Sequence, residues 1–145
     1  MTRPTLPDAT TRSPLIVVLD DDPHECTLLG TLIEDTWPHC AVRAGPPTAA
    51  LLRDLTHPDA LRPDLLIVEQ DMPGCMGLDI LRAVRATPGG QTLPVVILSA
   101  DEDPRGAAAA HHAGASAYRV KPTTPGEYRS MLADLLLTFL PNRAD

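Results

Sequence analysis

The stretch Leu15-Ile16-Val17-Val18-Leu19-Asp20-Asp21-Asp22 decides the architecture. Five apolar residues run together without alternation, three of them β-branched, and three acids close the run. Such a segment reads as a strand covered on both faces, the habit of parallel sheets. Two further runs have the same character, Leu65–Val68 and Val95–Leu98. Two weaker strands are read at Ala41–Ala44 and Ala117–Val120.

Each strand is followed by a helical pattern. Pro23 to Trp37 places Cys26, Leu29, Ile33 and Trp37 on one face, with Leu28 and Leu32 beside them, and Pro38 closes it. Thr48 to Leu55 turns Leu51, Leu52 and Leu55 inward, and His57 to Pro63 is a loop with two prolines. Leu78 to Ala86 carries Leu78, Leu81 and either Val84 or Arg85, before Pro88-Gly89-Gly90 breaks it. Asp103 caps a helix with Pro104 at its first position; it runs to Ala113 and ends at Gly114. Pro125 opens a last helix to Leu140, stopped by Pro141. Its stripe is Met131 or Leu132, then Leu135, Leu136 and Phe139. The order is (βα)5, an α/β protein with a doubly wound five-stranded parallel sheet. Residues 15–140 form that domain, between a flexible tail at 1–14 and a short tail at 141–145.

Composition narrows the function. Twelve basic against nineteen acidic residues give a net charge of −7, a poor match to nucleic acid or to an anionic membrane surface. No apolar run approaches the ~18–20 residues that span a bilayer, and residues 1–14 hold no apolar signal core. Cys26, Cys40 and Cys75 are odd in number and lack a CxxC pair, so they read as reduced thiols of a cytoplasmic protein. Eleven of the twelve basic residues are Arg, and Lys121 stands alone.

In doubly wound sheets the site lies beyond the carboxyl ends of the strands. Those ends carry Asp20, Asp21 and Asp22; Glu69, Gln70 and Asp71; Ser99; and Lys121. Acids clustered in this way need a cation among them. A hard divalent ion such as Mg²⁺ suits carboxylates, a backbone carbonyl and water. Acids ahead of a helix are stabilising in any case, but this accounts only for Asp20–Asp22.

These residues resemble the receiver domain of two-component response regulators, from Leu15 to about Leu140. The likeness rests on Asp20-Asp21 after the first strand, the turn Asp71-Met72-Pro73-Gly74, Ser99-Ala100, Gly114-Ala115 with Tyr118, and Lys121-Pro122. It implies a flavodoxin-like fold and phosphorelay signalling rather than an enzyme. It also implies Asp21 as direct Mg²⁺ ligand, Asp20 as its water-mediated helper and the Asp71 carbonyl as a further ligand. Ser99 is then the hydroxyl that meets a phosphoryl oxygen, and Tyr118 the aromatic switch. Lys121 is the cation at the acceptor, and Lys121-Pro122 usually carries a cis peptide.

The departure from the family is central. Its acceptor Asp lies four residues before the proline of the turn, and counting back from Pro73 gives Glu69. Glu sets the carboxylate roughly 1.5 Å further from the backbone, and phosphoryl transfer depends on positioning finer than that. The chain is therefore expected to be an atypical receiver, with Glu69 also in the metal set. It is either held active-like, with Glu69 mimicking a phosphorylated Asp, or an inert binding module. Two rivals stand beside it. Asp71 accepts the phosphoryl group in a conventional receiver, or the chain resembles a haloacid-dehalogenase-type phosphatase with Asp20 as nucleophile and Asp22 as acid/base.

Little chain remains after the last helix, so output is expected through contact with a sensor kinase, a downstream effector or a second copy. The family's usual surface, the fourth helix, fifth strand and last helix, would present Tyr118 and Arg119. His24, His111 and His112 read as surface residues, and Cys75-Met76 fills a position where the family often has Met-Asp.

Overall fold

In a computed structural model, residues 13–57 and 61–140 are described. The expectations on the two tails, on Pro141 and on part of the loop after His57 fall largely outside them. The elements are β1 (Leu15–Leu19), α1 (Pro23–Thr36), β2 (Ala41–Gly45), α2 (Ala49–Leu55), β3 (Leu65–Glu69), α3 (Gly77–Arg85), β4 (Val95–Ser99), α4 (Pro104–His112), β5 (Ala117–Val120) and α5 (Pro125–Phe139). All pairings are parallel, in the order β2-β1-β3-β4-β5. The predicted (βα)5 fold is the observed one. Boundaries moved by one residue, as a cap explains for α2: Thr48 is its N-cap and accepts from the Leu51 N–H at 3.2 Å.

The three apolar runs form the centre of the sheet, and alternation sorts their side chains. Ile16, Val18, Leu65, Ile67, Val96 and Leu98 pack with α1 and α5. Val17, Leu19, Leu66, Val68, Val95 and Ile97 pack with α2, α3 and α4. Tyr128 joins the α5 stripe and is 4% exposed; the sequence reading omitted it, although it lies four residues before Leu132.

Of the two inward candidates on α3, Val84 is the core residue, at 1% exposure. Arg85 does something else. Its guanidinium donates to the carbonyls of Leu93 (2.7 Å), Gly90 and Gly114 (2.8 Å from Nη2), stapling the loops on both sides of β4–α4. Burial pulls its pKa down from the usual arginine value. Gly114 lies at φ +102°, which only glycine adopts freely. Arg85→Lys is expected to destabilise the fold by about 1–3 kcal/mol, because a point charge cannot serve both loops. Urea unfolding measures it, and an unchanged midpoint would show the staple to be ornamental.

Candidate functional site

Register brings the site together. Leu19 pairs with Val68, so Asp20 stands beside Glu69 at the carboxyl edge. Glu69 pairs with Leu98 and Leu98 with Arg119, so Lys121 follows two residues beyond that level, at the same edge. Alternation then gives Asp20, Glu69 and Lys121 one facing, toward the side of the sheet covered by α1 and α5.

The outcome is a buried ion cluster. The Lys121 ammonium lies 3.0 Å from Asp20 Oδ2, closer still to Glu69 Oε1, and 3.9 Å from Glu25 Oε2. Side-chain exposure is 13% for Lys121, 3% for Asp20 and 7% for Glu69. The other carboxylate oxygens are held as well. Glu69 Oε2 accepts from the Asp71 N–H at 3.1 Å, and Asp20 Oδ1 from the Asp22 N–H at 2.9 Å. Burial opposes the charge on Lys121, but the carboxylates of Glu69 and then Asp20 outweigh it, and its pKa rises above the usual lysine value.

Glu25 and Tyr128 belong to this cluster and were missed from the sequence. The Tyr128 hydroxyl donates to Glu25 at 2.9 Å, joining α1 to α5 directly beneath Lys121. Burial, then Glu25, raises the Tyr128 pKa above the ordinary phenol range. The legible signal was Tyr128 on the apolar stripe of α5, since a buried tyrosine needs a partner for its hydroxyl.

Other expected members are placed differently. Ser99 is 2% exposed, but its hydroxyl donates to the Asp101 carbonyl at 2.6 Å and accepts from the Asp101 N–H at 3.3 Å. Alternation along β4 sets it on the side of Val95 and Ile97 rather than that of Glu69. Tyr118 is turned in, its hydroxyl buried without a hydrogen-bond partner. Asp71 is exposed in the turn, its carboxylate 3.4 Å from Gln70 Nε2. Asp22 caps α1, accepting from the His24 N–H at 2.9 Å. That role and the burial of Asp20 against Lys121 disfavour a nucleophile and acid/base pair. His24, His111 and His112 are exposed. Cys26, Cys40 and Cys75 are free thiols. Among the described residues no peptide bond is cis, so Lys121-Pro122 is trans, the form most X-Pro bonds favour.

The four-residue metal set Asp20, Asp21, Glu69 and Asp71 is not gathered into a cage. Its oxygen chemistry suits a hard cation, yet Lys121 takes the central place between Asp20 and Glu69, and Asp21 is exposed. Among the described residues no three carboxylate, histidine or cysteine side chains converge to hold a metal. As arranged, these side chains fit an ammonium rather than a metal ion.

With this geometry in hand the class is plain: residues 16–133 match the response regulator receiver domain, and the chain belongs to that family. It is a receiver domain of two-component signalling. It is 34% identical over 122 residues to the cyclic di-GMP phosphodiesterase response regulator RpfG of Xanthomonas campestris, covering 83% of this chain and 31% of that protein. The chain thus spans under a third of that relative's length. In fold it resembles the phosphorylated cyanobacterial phytochrome response regulator RcpA, with a TM-score of 0.77 at 16% identity, covering 88% and 94% of the two chains. It likewise resembles the Mn²⁺-bound form of response regulator Rcp1, with a TM-score of 0.75 at 16% identity and the same coverage. No helix among the described residues is long and apolar enough to cross a membrane.

Proposed function

We propose that this chain is an atypical receiver whose state is not set by aspartyl phosphorylation. Glu69 takes the place of the acceptor, and its pairing with Lys121 holds the site shut. The observation that carries the reading is the ion pair between Glu69 Oε1 and Lys121 Nζ. Where a receiver must admit a phosphoryl group, this one has a carboxylate already bound to the cation that would greet it. The inward Tyr118 agrees with an active-like state. Ser99, bonded to Asp101, does not take part in it. Mg²⁺ must compete with Lys121 for Asp20 and Glu69, so its binding is weak.

Output passes through a protein partner, a sensor kinase or effector, on the face of α4, β5 and α5, in the cytoplasm. Arg119 sits on that face, paired at 2.8 Å with Asp134 of α5. Asp71 is disfavoured as an acceptor, because the carboxylates that meet Lys121 are Asp20, Glu25 and Glu69.

The test is intact mass after incubation with acetyl phosphate and Mg²⁺. The protein is expected to stay unlabelled. Stoichiometric gain of one phosphoryl group would overturn the reading, and its mapping to Asp71 would restore the conventional receiver.

A further inference from the structure

Lys121 is the only lysine among the twelve basic residues, and acids from three elements meet at its ammonium. Asp20 follows β1, Glu69 ends β3, and Glu25 lies in the first turn of α1, its Oε2 3.9 Å from Nζ. Neither Glu25 nor Tyr128 belongs to the motifs that carry the family resemblance. The Tyr128 hydroxyl lies 3.0 Å and 2.9 Å from the two Glu25 oxygens, so α5 steadies that carboxylate. Asp20 and Glu69 each turn one oxygen to the ammonium. The other oxygen accepts from a backbone N–H, that of Asp22 for Asp20 and that of Asp71 for Glu69. Every carboxylate oxygen of the cluster therefore faces a donor, which is what a polar network in a low-dielectric setting requires.

This set of donors and acceptors disagrees with the divalent ion that the family resemblance implies. Mg²⁺ demands near-octahedral oxygen geometry and keeps several waters. Such a shell does not fit between carboxylates that are 3% and 7% exposed and already bound to Lys121. An ammonium needs no shell, because its three N–H donors reach separate oxygens. As part of the chain it also competes without the loss of translational freedom that a free ion incurs on binding. We propose that Lys121 is a built-in cation standing in the divalent ion's place, that Glu25, steadied by Tyr128, is a positioning residue for it, and that the domain keeps its state without metal. This rests on the reading of the Glu69–Lys121 pair as the lock on the site, and extends it from the phosphoryl group to the metal.

The probe is Mn²⁺, a hard ion that suits carboxylates and broadens nearby amides, titrated into the ¹⁵N-labelled full chain. In the wild-type chain no saturable broadening is expected at residues 20–22 and 69–71 in submillimolar Mn²⁺. Its unfolding temperature should be the same in submillimolar Mg²⁺ and in EDTA. Lys121→Met keeps the stem and removes the charge, so Mn²⁺ should bind at least about tenfold more tightly. Adding Glu25→Gln should take back a severalfold part of that gain, because Glu25 faces the same place. If Lys121→Met is unfolded without metal, Mn²⁺ should restore its fold by mass action. Saturable submillimolar binding by the wild-type chain, no tighter binding by Lys121→Met, or a Lys121→Met chain that Mn²⁺ fails to refold would overturn the proposal. An undiminished gain in the presence of Glu25→Gln would overturn the role of Glu25. Phosphoryl labelling of the wild-type chain would instead overturn the reading of the lock, so the two failures are distinguishable.

Discussion

Lys121→Ala is expected to cost the fold about 3–5 kcal/mol at neutral pH, the range for breaking a buried ion pair on one side. The reason is what remains: Asp20 and Glu69, 3% and 7% exposed, with no cation between them, and Glu25 close by. A lost lysine stem alone would leave a small cavity and a smaller penalty. The two causes separate in a double variant. Adding Glu69→Gln to Lys121→Ala removes one of the uncompensated charges and should recover part of the loss, whereas a cavity would be indifferent to it. Urea unfolding of the three proteins decides, and a loss under 1 kcal/mol for Lys121→Ala would show that the cluster contributes little net stability.

The same cluster fixes the alkaline limb of stability. Lys121 holds its proton more tightly folded than unfolded. Its contribution is therefore complete below the ordinary lysine value of ~10.4 and is lost as pH rises toward and through its folded value. Tyr128 is raised as well and acts with the same sign above ~10. The wild-type chain should lose stability above about pH 10, and Lys121→Ala should lose less there, since only Tyr128 remains.

What made the fold legible was the company each strand keeps. Leu15–Leu19, Leu65–Val68 and Val95–Leu98 are buried along almost their whole length, and a run of that kind has few other places to go. Strand order then follows from parallel winding, and the strand ends bring Asp20, Glu69 and Lys121 to one edge whatever the loops do. Contacts between side chains of distant elements were not legible. Arg85 reaches Gly114 twenty-nine residues on, and Tyr128 reaches Glu25 across one hundred and three. No periodicity encodes either. The bonds of the Ser99 hydroxyl to the Asp101 backbone, two residues on, are likewise a loop contact that no strand pattern encodes.

Glu69→Asp is expected to turn an unlabelled protein into one that accepts a phosphoryl group. Shortening the side chain by one methylene draws the carboxylate back by roughly 1.5 Å. That distance separates the ammonium from the acid that now closes on it, and opens the space a phosphoryl group needs in line with its donor. Lys121 stays anchored meanwhile, because Asp20 holds it at 3.0 Å. Ser99 must exchange the Asp101 carbonyl for a phosphoryl oxygen, a trade of one hydrogen bond for a charge-assisted one. The measurement is intact mass with acetyl phosphate and Mg²⁺, run beside an ordinary receiver as positive control, with the label mapped to residue 69. If the variant remains unlabelled while the control reacts, side-chain length is not what closes the site. The arrangement of Asp20, Asp21 and Ser99 would then be at fault, and a locked binding module would describe the protein better than a carboxylate standing in for a phosphorylated aspartate.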